Sequence, residues 1–325
     1  MITVLTGGTG GAKFVDGLRY VVPPEELTLI VNTGDDMLWW GLHVSPDIDS
    51  VVYMLSGKLS PERGWGVEQD TFFCLKTMGE MHGPAWFTVG DRDLAMHLLR
   101  TMLMAEGKTL SEATTEIARR LGIQSRVLPM TDSCVETRVL TSVGELSFQE
   151  YFVQRRYQDE AKQVRFAGAA QAVAAPGVIE AIRHAEFVVL APSNPVTSIG
   201  PILAVPGVRE ALRKTKAEIA AVSPIVDGSA VTGPAGALLS SQGFAVSVAG
   251  VADYYRDFLD LLVVDTRDTA AAADLRVARG KDLRVHCTST VMRKSGDRIA
   301  LAREVIEACQ SPALSTVSNL PLERE

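Results

Sequence analysis

Short, almost unbroken apolar runs recur along this chain, separated by stretches with helical spacing. The runs Ile2–Thr6, Leu27–Asn32, Phe187–Ala191, Ala217–Val222, Ala245–Ser247 and Leu261–Val264 predict strands. Continuous apolar character, rather than alternation, is what strands buried on both faces of a parallel sheet require. Helical patterns at Gly177–Ala185, Val208–Lys214, Ala235–Gln242 and Asp253–Asp260 lie between them, and Phe14, Leu18 and Val22 mark a first helix. This alternation predicts an α/β fold, doubly wound around a mostly parallel, Rossmann-like sheet.

The pattern changes after about residue 50. Helical spacing at Asp70–Met81, Asp93–Glu106 and Ser111–Leu121 dominates, with Ser111 the expected N-cap of the last. Val135–Val153 then alternates like a β-hairpin, with Val143-Gly144 as its turn. A single α/β domain over residues 1–325 is expected, with a helical and hairpin subdomain inserted at about 50–165. That insertion belongs over the C-terminal edge of the sheet, where open α/β sheets carry their ligand crevice. Residues from Ser311 onward are expected to fray.

The composition, 46% hydrophobic and 22% charged, is ordinary for a soluble globular protein. No apolar run approaches the roughly 20 residues of a membrane helix. No basic leader precedes an apolar core, and the glycine motif at the start leaves no room for a targeting peptide. Cys74, Cys134, Cys287 and Cys309 are scattered without a CxxC pair, which fits reduced thiols in the cytoplasm. The net charge of −7 argues against non-specific nucleic-acid binding but leaves room for one nucleotide held by local donors. A homodimer is the expected assembly, from base rates alone.

The candidate chemistry sits just past the strands. Gly7, Gly8, Thr9, Gly10 and Gly11 join the first strand to the first helix, an arrangement that lets backbone amides cradle a phosphate. A P-loop is excluded by Ala12-Lys13-Phe14, and a dinucleotide fingerprint by Lys13 where the third glycine belongs. Lys13 either neutralises a phosphate or lies on the helix surface. Asn32-Thr33-Gly34-Asp35-Asp36 places two carboxylates opposite the glycine loop, suited to Mg²⁺ or to an Asx turn. Asp47 and Asp49 follow, one expected to cap a helix and the other to bind. In Gly90-Asp91-Arg92-Asp93, Arg92 can fork onto a phosphate or carbonyl, or the turn is only a cap. His97, one turn into the helix, faces the same crevice or is a satisfied interface histidine, the second being the expectation. Ser193 and Asn194, fixed between Pro192 and Pro195, suit a base or ribose edge or a structural turn, and Ser223-Pro224 repeats the geometry. Among Trp39, Trp40, Trp65, Phe72 and Phe73 most are expected in the core, with one or two able to stack on a flat ring.

Taken together, Gly7–Gly11, Asn32–Asp36, Ser45-Pro46-Asp47-Ile48-Asp49, Arg63-Gly64-Trp65-Gly66, Gly90–Asp93 and Ala191–Pro195 resemble the 2-phospho-L-lactate transferase family of coenzyme F-420 biosynthesis. The motifs run in order from residue 1 to about residue 310. The resemblance implies Mg²⁺-dependent transfer of a phospholactate-type, phosphoenolpyruvate or phosphoglycerate unit from a guanosine diphosphate adduct. The acceptor would be the ribityl hydroxyl of the deazaflavin Fo, with release of GMP. Asp35, Asp36 and Asp49 would then lie near the metal. The glycine loop, Lys13, Ser193, Asn194 and Ser223 would hold guanosine and phosphates. Asp49 and Arg92 would contact Fo, and Asp49 would draw the proton from the attacking hydroxyl. Regulatory proteins of the gluconeogenesis-factor type, which bind a nucleotide sugar without turnover, resemble the same glycine loop and acidic turn. The stretch Arg63–Arg92, with Trp65, sides with the transferases. A nicotinamide dehydrogenase is disfavoured by Lys13.

Overall fold

The computed structural model describes residues 1–311, so the fraying expected beyond Ser311 lies outside the described residues. One sheet organises the chain. Its strands are β1 (Ile2–Thr6), β2 (Leu27–Val31), β3 (Arg126–Pro129), β4 (Phe187–Leu190), β5 (Glu218–Val222), β6 (Leu261–Asp265) and β7 (Arg284–Thr288). They lie in the order β7-β6-β5-β4-β1-β2-β3, and every pairing is parallel. The order reverses between β1 and β4. The segments leaving those two strands therefore part, and a crevice opens at their carboxyl ends.

The continuous apolar runs have a direct cause. Leu5, Ile30, Val188, Leu190 and Leu262 face one core cluster, while their neighbours Val4, Leu29, Val189 and Val263 face another. Helices Gly8–Leu18, Pro46–Leu55, Leu110–Arg120 and Ser295–Gln310 cover the second face. Val178–Arg183, Val208–Lys214, Ala235–Ser241 and Val248–Tyr254 cover the first. Each aliphatic side chain enclosed in this way contributes about 2 kcal/mol. Among the described residues, no helix is long and apolar enough to cross a membrane.

Several expectations need correction. The region 50–165 is not one insertion, because β3 lies inside it and Leu110–Arg120 packs on the sheet. Two separate covers remain: the helical segment running to Ala105, and a three-stranded antiparallel sheet of Glu136–Thr141, Gly144–Ser147 and Ala161–Ala167. The hairpin turn falls at Ser142-Val143, one residue before the expected Val143-Gly144, and a third strand joins the pair. Ala245–Ser247 is no strand. Ser247 caps the Val248–Tyr254 helix by accepting from the Gly250 amide at 3.2 Å, so that helix starts and ends earlier than Asp253–Asp260. Thr109, not Ser111, caps Leu110–Arg120, in a capping box with Glu112. Ser111 instead gives its amide and hydroxyl to Asp132 at 2.7 and 2.8 Å.

Candidate active site

The site is built at the crevice between β1 and β4. The Gly8–Leu18 helix begins there with no side-chain cap and no acidic residue in its first turn. Its N-terminal amides and dipole are thus open to an anion. Gly8 adopts φ +66°, which favours glycine. Gly7 is needed for a different reason: a Cβ on it would lie 2.6 Å from Asp47 Oδ2 and 2.9 Å from Ser198 Cβ. Ser193 crosses from the β4 loop to this turn, donating its hydroxyl to the Gly7 carbonyl at 2.8 Å. Gly11 is buried where the helix passes Thr6 and Ser193. Lys13 lines the same crevice, and burial followed by the nearby Arg298 charge lowers its pKa. An anion in the crevice would favour the charged form of Lys13 and so oppose both effects.

Against the glycine turn stands an acidic pair. Asn32, at the end of β2, donates its side-chain amide to Asp35 Oδ2 at 3.1 Å and Asp47 Oδ2 at 2.9 Å. Both carboxylates are buried and both line the crevice. Burial, then the Asp47 charge, raises the Asp35 pKa well above the ordinary carboxylate range. Burial raises Asp47 to about 6. Among the described residues, Asp35 Oδ1 has no hydrogen-bond partner. Two buried carboxyl groups bridged by one amide ionise together at a cost that a cation beside them would offset.

A second polar cluster lies in the wall formed by the Pro46–Leu55 and Asp91–Ala105 helices. Arg100 is fully buried and gives a fork of hydrogen bonds to both oxygens of Asp49, with Nη1 to Oδ2 at 3.2 Å. His97 stands between Asp49 and Asp93, its ring nitrogens 3.5 and 3.4 Å from their carboxylates. The Tyr53 hydroxyl donates to Asp93 at 2.6 Å, and burial raises the Tyr53 pKa further above its ordinary value. Asp49, Asp93 and His97 could together face a cation. Arg100 already supplies the positive charge there, which favours Asp35 and Asp47 as the cation site.

These groups surround one cavity of about 460 Å³. Its floor is the glycine turn, Asp35, Asp47 and the Pro192–Asn194 loop. Trp65, Phe87, Asp49, Asp93 and His97 form one flank, and Phe148, Phe152, Ser223 and Thr232-Gly233 line the cavity as well. The structure therefore brings Gly7, Gly8, Thr9, Gly10, Lys13, Asp35, Asp49, Ser193, Asn194 and Ser223 to one place.

Other expected site residues are placed differently. Asp36 turns away from the cavity, accepting from Ser45 Oγ at 2.7 Å and facing His43 Nε2 at 3.0 Å. Arg92 does not line the cavity. It is exposed, donates to the Glu68 carbonyl at 3.0 Å, and faces a separate depression with Lys58 and Leu121. The GDRD turn holds two helix starts: Asp70 accepts from the Arg92 and Asp93 amides, and Asp91 accepts from those of Phe73 and Cys74. Asn194 Oδ1 accepts from the Val196 and Thr197 amides, and Ser223 Oγ bonds within its own turn to Ile225. Their oxygens are thus occupied by the backbone. Asn32, Tyr53, Asp93 and Arg100 were given no role from sequence. The spacing of Asp93, His97 and Arg100, on one face of a helix, was the available signal.

Residues 2–304 match the family model described as 2-phospho-L-lactate transferase CofD. The chain belongs to the 2-phospho-L-lactate transferase family. It is similar to the 2-phospho-L-lactate transferase of Methanosarcina mazei, 41% identical over 82% of this chain and 88% of that one. It is equally similar to the phosphoenolpyruvate transferase of Streptomyces griseus, 41% identical over 95% of this chain and 98% of that one. A solved structure of a UPF0052 family member from Bacillus halodurans superposes with a TM-score of 0.63, covering 95% of this chain and 98% of that chain. At 17% identity that likeness bears on the α/β fold alone. As a family member the chain is a transferase.

Proposed function

We propose that the chain moves a phospholactate-type, phosphoenolpyruvate or phosphoglycerate unit from a guanosine diphosphate adduct to the ribityl hydroxyl of the deazaflavin Fo. The P–O bond to GMP breaks, a P–O bond to the hydroxyl oxygen forms, and GMP and the hydroxyl proton leave. The observation that carries this reading is the pair Asp35–Asp47 beside the uncapped start of the Gly8–Leu18 helix, lining one cavity with it. A diphosphate lying in this cavity reaches both, because Asp47 packs directly against the glycine turn. Its charge meets the helix N-terminus, Lys13 and carboxylates able to hold a divalent cation.

Mg²⁺ suits this donor set. The oxygens are hard, buried and short of positive charge, and among the described residues Asp35 Oδ1 is without a partner. Asp35 and Asp47 would hold the ion, which when bound supplies charge neutralisation for the leaving phosphate. The protein's own contribution is positioning, as phosphoryl-type transfer requires. Gly7–Gly10 and Lys13 orient the phosphates. Asp49, held by Arg100 at both oxygens, keeps His97 and the helical wall in place and is poorly suited to accept a proton. The flanking walls exclude water from the reacting phosphorus.

The identities to transferases over most of the chain support turnover rather than the nucleotide-sugar-binding regulator. The test is to incubate the protein with Fo, Mg²⁺ and each of the three guanosine diphosphate adducts and measure GMP. GMP formed only in the presence of Fo supports the proposal. No GMP from any donor contradicts it and favours the regulator.

A further inference from the structure

Trp65 sits on a small closed loop whose purpose the fold does not explain. The Glu68 amide donates to the Lys58 carbonyl at 2.7 Å, and the Ser60 amide to that of Gly66 at 3.0 Å, so the ends of the loop are tied. Trp65 lies between Gly64 at φ +72° and Gly66 at φ +66°. A Cβ on either glycine would meet nothing within 4 Å, so these glycines serve the backbone path that presents Trp65, not close packing. The indole is 37% exposed, against 6% for Trp39, and it lines the cavity, as does Phe87. Arg63 braces it. Its guanidinium carbon lies 5.5 Å from the Trp65 ring centroid and 5.3 Å from that of Phe72, and its Nη2 donates to the Val67 carbonyl at 2.6 Å.

The second aromatic wall differs. Phe148, Phe152 and Tyr157 stack on one another with centroids 5.4 and 5.7 Å apart, so their faces already serve each other. Among the described residues, Trp65 has no such ring partner. A braced, partly exposed indole on a cavity wall is the arrangement that stacks a flat heteroaromatic ring.

We propose that Trp65 is a positioning residue that stacks on the flat ring of one bound substrate, an inference that rests on the function proposed above. Both substrates carry such a ring, a purine in one and a deazaflavin in the other, and the experiment separates them. GMP and Fo are titrated individually, by calorimetry, into the wild type, Trp65→Ala and Trp65→Phe, with melting temperatures measured alongside. The expected result is a loss of about tenfold to a hundredfold in affinity for one ligand in Trp65→Ala, with the other unchanged and most of the affinity kept in Trp65→Phe. The KM of the corresponding substrate should rise by a similar factor with kcat little changed. Loss of GMP binding assigns the ring to the donor, and loss of Fo binding assigns it to the acceptor. Unchanged affinity for both ligands, equal loss for both, or no rescue by Phe overturns the stacking role. A wild type that binds neither ring contradicts the proposed function itself.

Discussion

Arg100 and Asp49, 51 residues apart in sequence, form a forked ion pair in the wall of the cavity, with the arginine fully buried. The pair fixes the Asp91–Ala105 helix against Pro46–Leu55, and with it His97 and Asp93. Removing one partner strands the other charge in a low-dielectric wall. Arg100→Met is expected to cost about 3–5 kcal/mol of stability, measured by chemical denaturation. Asp49→Asn should cost several kcal/mol as well, and the double replacement less than the sum. A cost below about 1 kcal/mol for either single change would show that the pair does not hold the wall.

Asp47 makes stability depend on pH in a predictable direction. Its folded pKa is raised to about 6 from an ordinary 3.8, so the folded protein binds this proton more tightly than the unfolded chain does. The stability this group contributes is full below about pH 4 and is lost as pH rises through about 6, an effect of about 3 kcal/mol at most. In chelator at pH 7.5, Asp47→Asn should therefore melt higher than the wild type, and the gap should close toward pH 4. Adding Mg²⁺ at pH 7.5 should raise the wild-type melting temperature and leave Asp47→Asn unmoved. A Mg²⁺ shift of equal size in both proteins would place the cation elsewhere.

Gly7→Ala tests the close approach of the glycine turn to the acidic pair. The new Cβ would fall 2.6 Å from Asp47 Oδ2, so Asp47 must move off Asn32. Displacement on this scale costs on the order of a hundredfold in rate. Steady-state GMP release should fall by about that factor, together with the Mg²⁺-induced melting shift. Unaltered kcat/KM would mean that the position of Asp47 is not critical.

Much of this was legible in the sequence where the cause is local. The β1 and β4 strands are enclosed on both faces, so their apolar runs are unbroken, and the glycine turn and the acidic turn follow strand ends directly. The edge strands β3 and β7 were missed because Arg126, Arg284 and His286 interrupt their apolar pattern. Ala245–Ser247 misled for the opposite reason: the apolar alternation belongs to a loop that ends in a serine cap. Arg92 was drawn into the site by its motif, but the motif's hydrogen bonds are spent on two helix starts. Arg100 and His97 acquire their roles only when the Asp91–Ala105 helix docks on Asp49, a contact that no local pattern encodes.

The most direct test of the Asp35–Asp47 site is Mg²⁺-dependent GMP release from a guanosine diphosphate adduct in the presence of Fo, compared between the wild type and Asp47→Asn. The wild type should form GMP in proportion to the Fo consumed and only with Mg²⁺, and Asp47→Asn should be slower by about a hundredfold or more. Equal rates in the two proteins, or wild-type turnover indifferent to chelator, would contradict the account.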